Sequence, residues 1–276
     1  MAKYGLLGYP LGHTMSPPIH KRLFEFDGKA DAEYEVCEFA PEILADKIEY
    51  LNSLGGYNIT IPYKVEIIKH IDGLDESAKR YNSVNCVAVK DGKRIGYNTD
   101  CYGFLRSLEA GGAKLDGKVL QIGCGGVGRM MAIEAALHGA DLTIVSLPEF
   151  IAGAEAAADE ARALNPDAKI KVITHAEIEG EFDLLMNASP VGMFPKVDDC
   201  PVSEEVIKNC KFVFDVIYNP NVTKLMQIAQ DNGIKAIGGM AMLVWQAVVA
   251  HEIWDGAKYN DEDINALIEE MRAKLA

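Results

Sequence analysis

The segment over residues 118–146 constrains the fold more than any other part of the chain. It contains an apolar strand, the run Gly-Cys-Gly-Gly-Val-Gly, a helix with an apolar face, and a second strand. In such a turn Gly123 permits the tight change of direction, Gly125 lets the backbone approach a pyrophosphate, and Gly128 lets the helix pack closely on the strand. The pyrophosphate would lie at the positive end of the helix, and a tight turn without a ligand is the alternative interpretation. The residues predicted to bind a dinucleotide here are Gly123, Gly125, Gly126, Val127 and Gly128.

The charge balance of the chain argues against a polyanionic partner. The 276 residues include 27 basic and 41 acidic side chains, which gives a formal net charge of −14 at pH 7. Nucleic acid and anionic membrane surfaces would be repelled unless a local basic patch existed, and the sequence contains no such patch. We therefore expect a globular protein with a small-molecule substrate and with neither nucleic acid nor a membrane as a partner.

The cysteines and the first residues bear on where the protein is located. The six cysteines form neither a C-x-x-C pair nor a cluster with histidine, so we expect reduced thiols and no metal site. Glycine and proline interrupt the N-terminal run too early for the core of a signal peptide, and no apolar span reaches about 18 residues. These features predict a cytoplasmic protein.

The order of predicted elements indicates an α/β protein with two domains. Strands and helices alternate over residues 1–102, and the hairpin between VNCVAVK and RIGYN has an Asp91-Gly92 turn. Residues 103–240 alternate strand and helix in the manner of a Rossmann-like nucleotide-binding domain with a parallel sheet. Two further helices, at 241–255 and 261–275, follow the last predicted strand. We expect this C-terminal part, residues 241–276, to pack back on the N-terminal domain.

Six segments rich in hydroxyl and amide groups lie near strand ends, where open α/β sheets place their ligands. These segments are residues 13–17, 58–64, 82–85, 96–100, 187–193 and 215–220. Such a mixture suits a small polyhydroxylated ligand, since each desolvated ligand hydroxyl needs a donor or an acceptor. Each segment alone also has a purely structural interpretation: Ser16-Pro17 could cap a helix, Asn98-Thr99-Asp100 could cap the next helix, and Asn219-Pro220 could form a turn.

Taken in this order, the six segments resemble the shikimate dehydrogenase family. The matching elements are T-M-S-P at 14–17, N-I-T-I-P-Y-K at 58–64, V-N at 84–85, G-Y-N-T-D at 96–100, N-A-S-P-V-G-M at 187–193, Y-N-P at 218–220 and the late Gln246. The resemblance extends over about residues 4–254. Its N-x-T-x-P-x-K and N-T-D elements are specific, whereas the glycine turn also occurs in many other families.

The resemblance implies an NAD(P)-linked oxidoreductase with an N-terminal substrate-binding catalytic domain and a Lys64–Asp100 catalytic pair. Lys64 would exchange a proton with the oxygen at the carbon that exchanges hydride, and Asp100 would hold the ammonium group and bond the neighbouring hydroxyl. His13 would be a helper or a local cap. The residues implied to bind the substrate are Thr14, Ser16, Asn58, Thr60, Asn85, Tyr218 and Gln246. The residues implied to bind the cofactor, besides the glycine turn, are Ser146, Asn187, Ser189, Gly239 and Met240.

The chain departs from the family pattern at three places. Thr14 replaces the usual serine, and its extra methyl group could favour quinate or another analogue over shikimate. Ala241 replaces a usual glycine beside the nicotinamide. The basic signature that meets the 2′-phosphate of NADP is replaced by the run Ser-Leu-Pro-Glu at 146–149. A dianionic phosphate without a cation binds poorly, so we expect NAD to be favoured over NADP.

The sequence thus predicts a shikimate or quinate dehydrogenase. It leaves both a monomer and a homodimer open. One alternative is a dehydrogenase of a related polyol acid, such as an amino analogue of shikimate. A second alternative, from another class, is a catalytically silent NAD-binding sensor. The retained Lys64 and Asp100 argue against the silent module, because a binding protein has no use for an acid/base pair.

Overall fold

A computed structural model describes residues 2–12 and 14–275, and they divide into two compact units. The first unit comprises the residues up to Gly103 together with Leu243–Met271, and the second comprises Phe104–Met242 together with the residues from Arg272 onwards. The chain crosses between the units at 103–104, 242–243 and 271–272, each time inside a helix. The first crossing lies one residue beyond the expected boundary at 102, and the second lies two residues beyond that at 240. His13, one of the residues considered above, lies outside the described residues.

A mixed six-stranded sheet forms the centre of the first unit. In chain order its strands are β1 (Lys3–Gly8), β2 (Glu33–Glu38), β3 (Gly56–Ile59), β4 (Gly73–Leu74), β5 (Cys86–Lys90) and β6 (Lys93–Tyr97). They lie side by side in the order β2-β1-β3-β5-β6-β4. β1 is parallel to β2 and β3, whereas β5 is antiparallel to β3 and β6. The predicted hairpin turn is confirmed, because Asp91 and Gly92 both have positive φ, 51° and 74°.

Helices surround this sheet and place the polar segments at the ends of its strands. They are α1 (Ser16–Phe26), α2 (Leu44–Ser53), α3 (Tyr63–Glu66), α4 (Glu76–Tyr81) and α5 (Asp100–Gly111), which continues into the second unit. A 3-10 turn at Pro41–Ile43 leads into α2, and α3 continues as a 3-10 turn at Ile67–His70. β3 ends at Ile59, three residues before Pro62.

The second unit is built on a six-stranded sheet in which every pairing is parallel. Its strands are β7 (Lys118–Ile122), β8 (Asp141–Val145), β9 (Lys169–Ile173), β10 (Leu184–Asn187), β11 (Phe212–Asp215) and β12 (Lys235–Gly238). Its helices are α6 (Gly126–Leu137), α7 (Ile151–Leu164), α8 (Glu204–Lys208) and α9 (Lys224–Asp231). The strand order β9-β8-β7-β10-β11-β12 is that of a doubly wound, Rossmann-like sheet. The order reverses between β7 and β10, and ligands of such sheets bind beside that point.

Two C-terminal helices complete the chain: α10 (Met240–Asp255), which begins in the second unit, and α11 (Asp261–Ala273). In the first unit α10 covers one face of the sheet, where Trp254 packs in a buried cluster with Tyr4 and Phe24. A Cβ added at Gly56 would lie 2.3 Å from Nε1 of Trp254, so β3 needs glycine there. The contact between Trp254 and Gly56 is what the predicted packing of α10 on the N-terminal domain requires.

The described residues contain neither a membrane-spanning helix nor a cluster of metal-binding side chains. Within residues 2–12 and 14–275, no helix combines the length and the apolar character needed to cross a bilayer. The same residues contain no group of three or more histidine, cysteine or acidic side chains that could hold a metal ion.

Candidate active site

Lys64 and Asp100 form an ion pair in the first unit. Lys64 lies on α3, directly after Pro62 and Tyr63, and Asp100 is the first residue of α5. The Nζ of Lys64 donates to Oδ2 of Asp100 at 2.6 Å. The two side chains are 26% and 18% exposed, so a ligand can still reach them. The chain therefore brings together the two residues that the sequence paired, although 36 positions separate them.

A buried amide network holds the other oxygen of Asp100. Nδ2 of Asn85 donates to Oδ1 of Asp100 at 2.8 Å, and Oδ1 of Asn85 accepts the backbone N–H of Thr99 at 2.6 Å. The Oε1 of Gln246 lies 3.4 Å from the Thr99 hydroxyl and 3.5 Å from Nδ2 of Asn85. Both oxygens of Asp100 are thus bonded, one to an ammonium group and one to an amide. Sequence reasoning assigned no role to Thr99, although the N-T-D element contains it.

Asn58 joins this network at the end of β3. Its Oδ1 accepts the Tyr34 hydroxyl at 2.9 Å, and its Nδ2 donates to the Asn85 carbonyl oxygen at 3.3 Å. Asn58 is buried, whereas Thr60, two residues later, is only half-buried. The protein already uses both ends of the Asn58 amide, so this residue braces Asn85 in the first unit.

Thr14 and Ser16 lie at the start of α1. The N-cap position is occupied by Met15, and Ser16 is the first helical residue, followed by two prolines. The interpretation of Ser16 as the cap is therefore wrong. The backbone N–H of Ser16 instead donates to the Thr14 hydroxyl oxygen at 3.2 Å. No side-chain cap bond is formed here, so the Ser16 hydroxyl is not used to close the helix.

The glycine turn of the second unit has the backbone geometry that the sequence predicts. Gly123 has a φ of +83°, and a Cβ added at Gly128 would lie 2.7 Å from the Gly123 carbonyl oxygen. Gly125 is the N-cap of α6, and a Cβ added at Gly125 or Gly126 would meet nothing within 4 Å. The first and last glycines are required by the fold itself. The two central ones leave open space at a helix N-terminus, where a phosphate can accept backbone hydrogen bonds.

A buried glutamine that the sequence analysis did not single out braces this turn. Nε2 of Gln121, on β7, donates to the carbonyl oxygens of Gly123 at 3.0 Å and of Gly128 at 2.8 Å. The side chain joins the end of the strand to the first turn of α6. A polar residue inside an otherwise apolar strand was the signal that could have identified it.

Asn187 and Ser189 lie beside the glycine turn. Oδ1 of Asn187 accepts both the backbone N–H of Ser189 at 3.1 Å and its hydroxyl at 2.6 Å. A Cβ added at Gly123 would lie 3.2 Å from the backbone N of Ser189. The predicted cofactor residues of β7 and β10 are therefore neighbours at the point where the strand order reverses.

Asp215, at the end of β11, supports the same edge of the sheet. It is fully buried and accepts hydrogen bonds from Nδ2 of Asn187 and from the Thr223 hydroxyl. Burial raises the pKa of its carboxyl group from an ordinary value of 3.8 to about 6. Sequence reasoning noted the segment that contains this residue but gave Asp215 no role.

Gly239 and Met240 follow β12 at the same edge. A Cβ added at Gly239 would lie 1.9 Å from the Val216 carbonyl oxygen, so only glycine fits there. Met240 begins α10 and is buried. Tyr218, implied to bind substrate, is half-buried in this second unit, and burial raises the pKa of its hydroxyl group. The other implied substrate residues all belong to the first unit.

The end of β8 is the predicted site of the adenosine ribose. Ser146 is buried, and its hydroxyl donates to the Leu147 carbonyl oxygen at 3.4 Å. Leu147 and Glu149 are exposed. The next basic residue along the chain, Arg162, bonds Asp159 and the Ile170 carbonyl oxygen. No basic side chain of this loop is therefore placed to meet a 2′-phosphate.

The chain is similar to known proteins in sequence. Residues 6–87 match the family model described as the shikimate dehydrogenase substrate binding domain. The chain is 35% identical over 282 aligned residues to the shikimate dehydrogenase (NADP(+)) of Clostridium perfringens, and the alignment covers 100% of both chains.

Two solved structures extend the similarity to the fold. A shikimate dehydrogenase in complex with NADP+ matches with a TM-score of 0.89 and 32% identity, covering 100% of this chain and 96% of that one. The quinate dehydrogenase from Corynebacterium glutamicum in complex with NAD matches with a TM-score of 0.85 and 29% identity, covering 99% of each chain. With more than a third of its residues identical to a full-length relative, the chain belongs to the shikimate/quinate dehydrogenase family.

Proposed function

We propose that this chain is a nicotinamide-dependent dehydrogenase that interconverts a ring hydroxyl and a ketone of shikimate or quinate and their 3-dehydro forms. The observation that carries the proposal is the Lys64–Asp100 pair, bonded at 2.6 Å and reachable by solvent. A lysine side chain beside a carboxylate can give a proton to a ring oxygen as the ammonium ion, or take one from it as the neutral amine. A module that only binds a dinucleotide would not need such a pair.

The residues of the first unit divide the work on the substrate. Lys64 exchanges a proton with the reacting oxygen, while Asp100 holds the Lys64 ammonium group and accepts a hydrogen bond from the neighbouring ring hydroxyl. Asn85 fixes the Asp100 carboxylate, and Thr99 fixes the orientation of the Asn85 amide. The reacting pair is therefore aligned before a substrate arrives, which lowers the cost of reaching the transition state.

The carboxylate of the ring acid is assigned to the start of α1. The Thr14 and Ser16 hydroxyls lie two residues apart, where the Ser16 N–H donates to the Thr14 hydroxyl oxygen, and each hydroxyl can donate to a carboxylate oxygen. The extra methyl group of Thr14, compared with the family's serine, would affect the choice between shikimate and quinate. Thr60, Tyr218 and Gln246 are assigned to the ring hydroxyls.

The second unit fits a dinucleotide. The open space above Gly125 and Gly126, at the N-terminus of α6, accommodates a pyrophosphate, and the N–H groups of that turn can donate to it. Ser189 follows β10, and Gly239 and Met240 follow β12 at the same edge of the sheet. These residues would flank the nicotinamide. When bound, the nicotinamide ring accepts or supplies the hydride. The residues of this unit orient it and exclude water.

The test of this function is a matrix of kinetic assays. Shikimate and quinate are each measured with NAD and with NADP, and kcat/KM is compared across the four combinations. We expect activity in at least one combination, with shikimate or quinate as the substrate. If none of the four shows turnover while the protein binds a dinucleotide, the silent sensor or another polyol acid becomes the better assignment.

For the cofactor, we propose that NAD binds more tightly than NADP. The residues of the β8 loop support this, because Leu147 and Glu149 offer the 2′-phosphate no cation. The names of the curated relatives point the other way, since the Clostridium perfringens enzyme is named for NADP(+). The proposed preference for NAD over NADP therefore rests on residues 146–149 alone.

A single substitution tests the cofactor preference. We expect Leu147→Arg to strengthen NADP binding and narrow or reverse the preference, because a guanidinium can donate two hydrogen bonds to a phosphate. Leu164→Arg is the matched control, since Leu164 is equally exposed, at 46%, and lies on α7. The measurement is the Kd of each dinucleotide by calorimetric titration. A parent protein that already prefers NADP would contradict the proposal.

The remaining proposals concern the setting of the enzyme. We propose a cytoplasmic location and a homodimer. Light scattering of the purified protein at several concentrations tests the second of these, and a mass of one chain throughout would exclude the dimer.

A further inference from the structure

Asp215 is a buried carboxylate with three neutral hydrogen-bond donors. Its Oδ1 accepts Nδ2 of Asn187 at 3.0 Å and the backbone N–H of Ile217 at 3.1 Å, and its Oδ2 accepts the Thr223 hydroxyl at 2.7 Å. The residue is 0% exposed. An ionised carboxylate in such a place is costly unless its lone pairs are used. An apolar side chain would avoid that cost, but it could not accept these bonds.

The bond to Asn187 fixes which way that amide points. Because Nδ2 of Asn187 donates to the Asp215 carboxylate, its Oδ1 must face the opposite way, toward Ser189. There it accepts the Ser189 N–H and hydroxyl. In the reversed orientation Oδ1 would face a carboxylate oxygen and the Ser189 donors would face an NH₂ group. Asp215 therefore sets the position of Ser189 without touching it.

The other bonds of Asp215 fix the loop after β11. The bond to Ile217 holds the backbone of residues 216–217, and the Ile217 carbonyl oxygen accepts the Gly239 N–H at 2.9 Å. The bond to Thr223 reaches the N-cap of α9, where Thr223 also accepts the Met226 N–H. Segments after β10, β11 and β12 are thus connected through one carboxylate.

We propose that Asp215 is a positioning residue for the dinucleotide, holding the loops that carry Ser189 and that adjoin Gly239 in their binding arrangement. It acts through Asn187 and Ile217, because no part of its side chain reaches the surface. The inference builds on the proposed function, since it concerns the cofactor residues assigned there. It adds a residue that lies beside the Y-N-P element at 218–220.

The test measures dinucleotide binding at pH 8 by calorimetric titration with NAD and with NADP. We expect Asp215→Ala to raise the Kd of the tighter-binding dinucleotide at least tenfold. The Kd of shikimate or quinate should rise by a smaller factor, because Tyr218 alone among the assigned substrate residues follows the loop that Asp215 holds. Asp215→Asn should restore the dinucleotide Kd to within threefold of the parent value. The asparagine Oδ1 can still accept both Asn187 and Ile217, and its NH₂ group can donate to the Thr223 hydroxyl oxygen.

Val213→Ala is the matched control for lost stability. Val213 lies on the same strand, is fully buried in the apolar core of the second unit and makes no bond to the loops. We expect it to lower Tm without changing the dinucleotide Kd. The proposal fails if Asp215→Ala binds like the parent, or if Val213→Ala weakens binding as much at a similar loss of Tm.

Two further outcomes are distinguishable. Should Asp215→Ala yield no folded protein, Asp215→Ser is measured in the same way. A rise in Kd of threefold or more supports the proposal, and a parent-like Kd overturns it. If the parent protein itself binds neither dinucleotide, the proposed function fails instead, and the positioning role fails with it.

Discussion

Both oxygens of Asp100 are occupied before any substrate binds, and this governs what a substitution of its partner does. Removing the Lys64 ammonium group takes away the proton donor but leaves Asp100 held by Asn85 at 2.8 Å. The carboxylate should therefore stay in place when Lys64 is replaced. Replacing Lys64 should therefore slow the chemical step more than it weakens binding of the ring acid.

We expect Lys64→Ala to lower kcat by roughly two to four orders of magnitude, the usual range for a positioned acid or base. KM should change only modestly. Lys69→Ala is the matched control, because Lys69 follows α3 and pairs with Glu66 on the surface. Steady-state kinetics give kcat and KM of both variants, and melting curves show whether both stay folded. Retention of more than about half the activity by Lys64→Ala would remove the residue from the mechanism.

The titration of Asp215 gives a prediction with a definite sign. Its pKa in the folded protein, about 6, lies above the ordinary value of 3.8 because the group is buried. The stability that its neutral form contributes is therefore complete below about pH 3.8 and is lost as the pH rises through 6. Asparagine at this position does not titrate. The parent should thus lose stability relative to Asp215→Asn between acid and neutral pH.

Urea unfolding of the parent and of Asp215→Asn at pH 4.5 and pH 8 measures this effect. The free energy of unfolding of the variant minus that of the parent should become more positive at pH 8 by about 2–3 kcal/mol, since one pKa unit corresponds to about 1.4 kcal/mol. Groups that titrate equally in both proteins cancel in the difference. An unchanged difference would show that Asp215 does not ionise in this range.

Some site residues were predictable from the sequence and others were not, for a physical reason. Lys64, Asp100 and the glycines belong to short motifs whose chemistry depends on residue type and spacing. Gln121, Thr99 and Asp215 act through bonds to residues that are distant in the chain or to backbone groups. A local pattern can mark such a residue, as the polar Gln121 in an apolar strand does, but it does not specify the bonding partner. Asn58 also makes bonds that the sequence did not specify, to Tyr34 and to the Asn85 carbonyl oxygen, and its role in substrate binding stays a prediction.

At the end of β12 there is no room for a side chain on residue 239. The Val216 carbonyl oxygen occupies the place where a side chain of residue 239 would lie, at 1.9 Å from an added Cβ. In α7, by contrast, Gly153 is exposed and a Cβ there would meet nothing within 4 Å. The same substitution should therefore have opposite effects at these two positions.

We expect Gly239→Ala to destabilise the protein by about 1–3 kcal/mol or more, because the added methyl group must displace backbone. Gly153→Ala should stabilise it by about 0.5–1 kcal/mol, since alanine is the better helix former. Urea unfolding of both variants beside the parent is the measurement. Equal effects of the same sign would mean that the loop after β11 moves at little cost to make room for the added methyl group.

The elements themselves were largely predictable, and the exceptions are short or irregular. β4 has only two residues, too few for a hydrophobic alternation to be detected. β3 ends at Ile59 because Thr60 already turns toward α3, where its carbonyl oxygen accepts the Tyr63 N–H. The parallel order of the second sheet followed from the alternation of strand and helix, whereas the mixed order of the first sheet depends on pairings that periodicity does not specify.

For the molecule as a whole, the two units should respond differently to acid. In the first unit Nδ1 of His20 lies 2.9 Å from Nε2 of His251, and both rings are buried. Burial lowers the pKa of His251 to about 3 and that of His20 well below its usual value. Both rings are neutral in the fold and gain protons on unfolding, so their contribution is complete above pH 6.5 and is lost as the pH falls toward 3. Asp215 gives the second unit the opposite tendency.

Both tryptophans of the chain, Trp245 and Trp254, belong to the first unit, so tryptophan fluorescence reports on that unit alone. We expect the urea midpoint seen by fluorescence to fall below the midpoint seen by far-ultraviolet circular dichroism when the pH is lowered from 7 to 5. His251→Gln should reduce the shift, because it removes one titrating ring. Coincident midpoints at both pH values would contradict this prediction.

The interruption of the first unit by the second has a consequence for synthesis on the ribosome. The second unit is continuous over Phe104–Met242 apart from a few terminal residues, whereas the first needs Leu243–Met271, including the Trp254 ring that covers Gly56. The N-terminal sheet is translated first, but it cannot bury that face until α10 has emerged. A nascent chain whose emerged part ends shortly after Met242 should therefore carry a protease-resistant second unit behind a protease-sensitive first one. The second unit would then fold before the first, although most of the first is translated earlier.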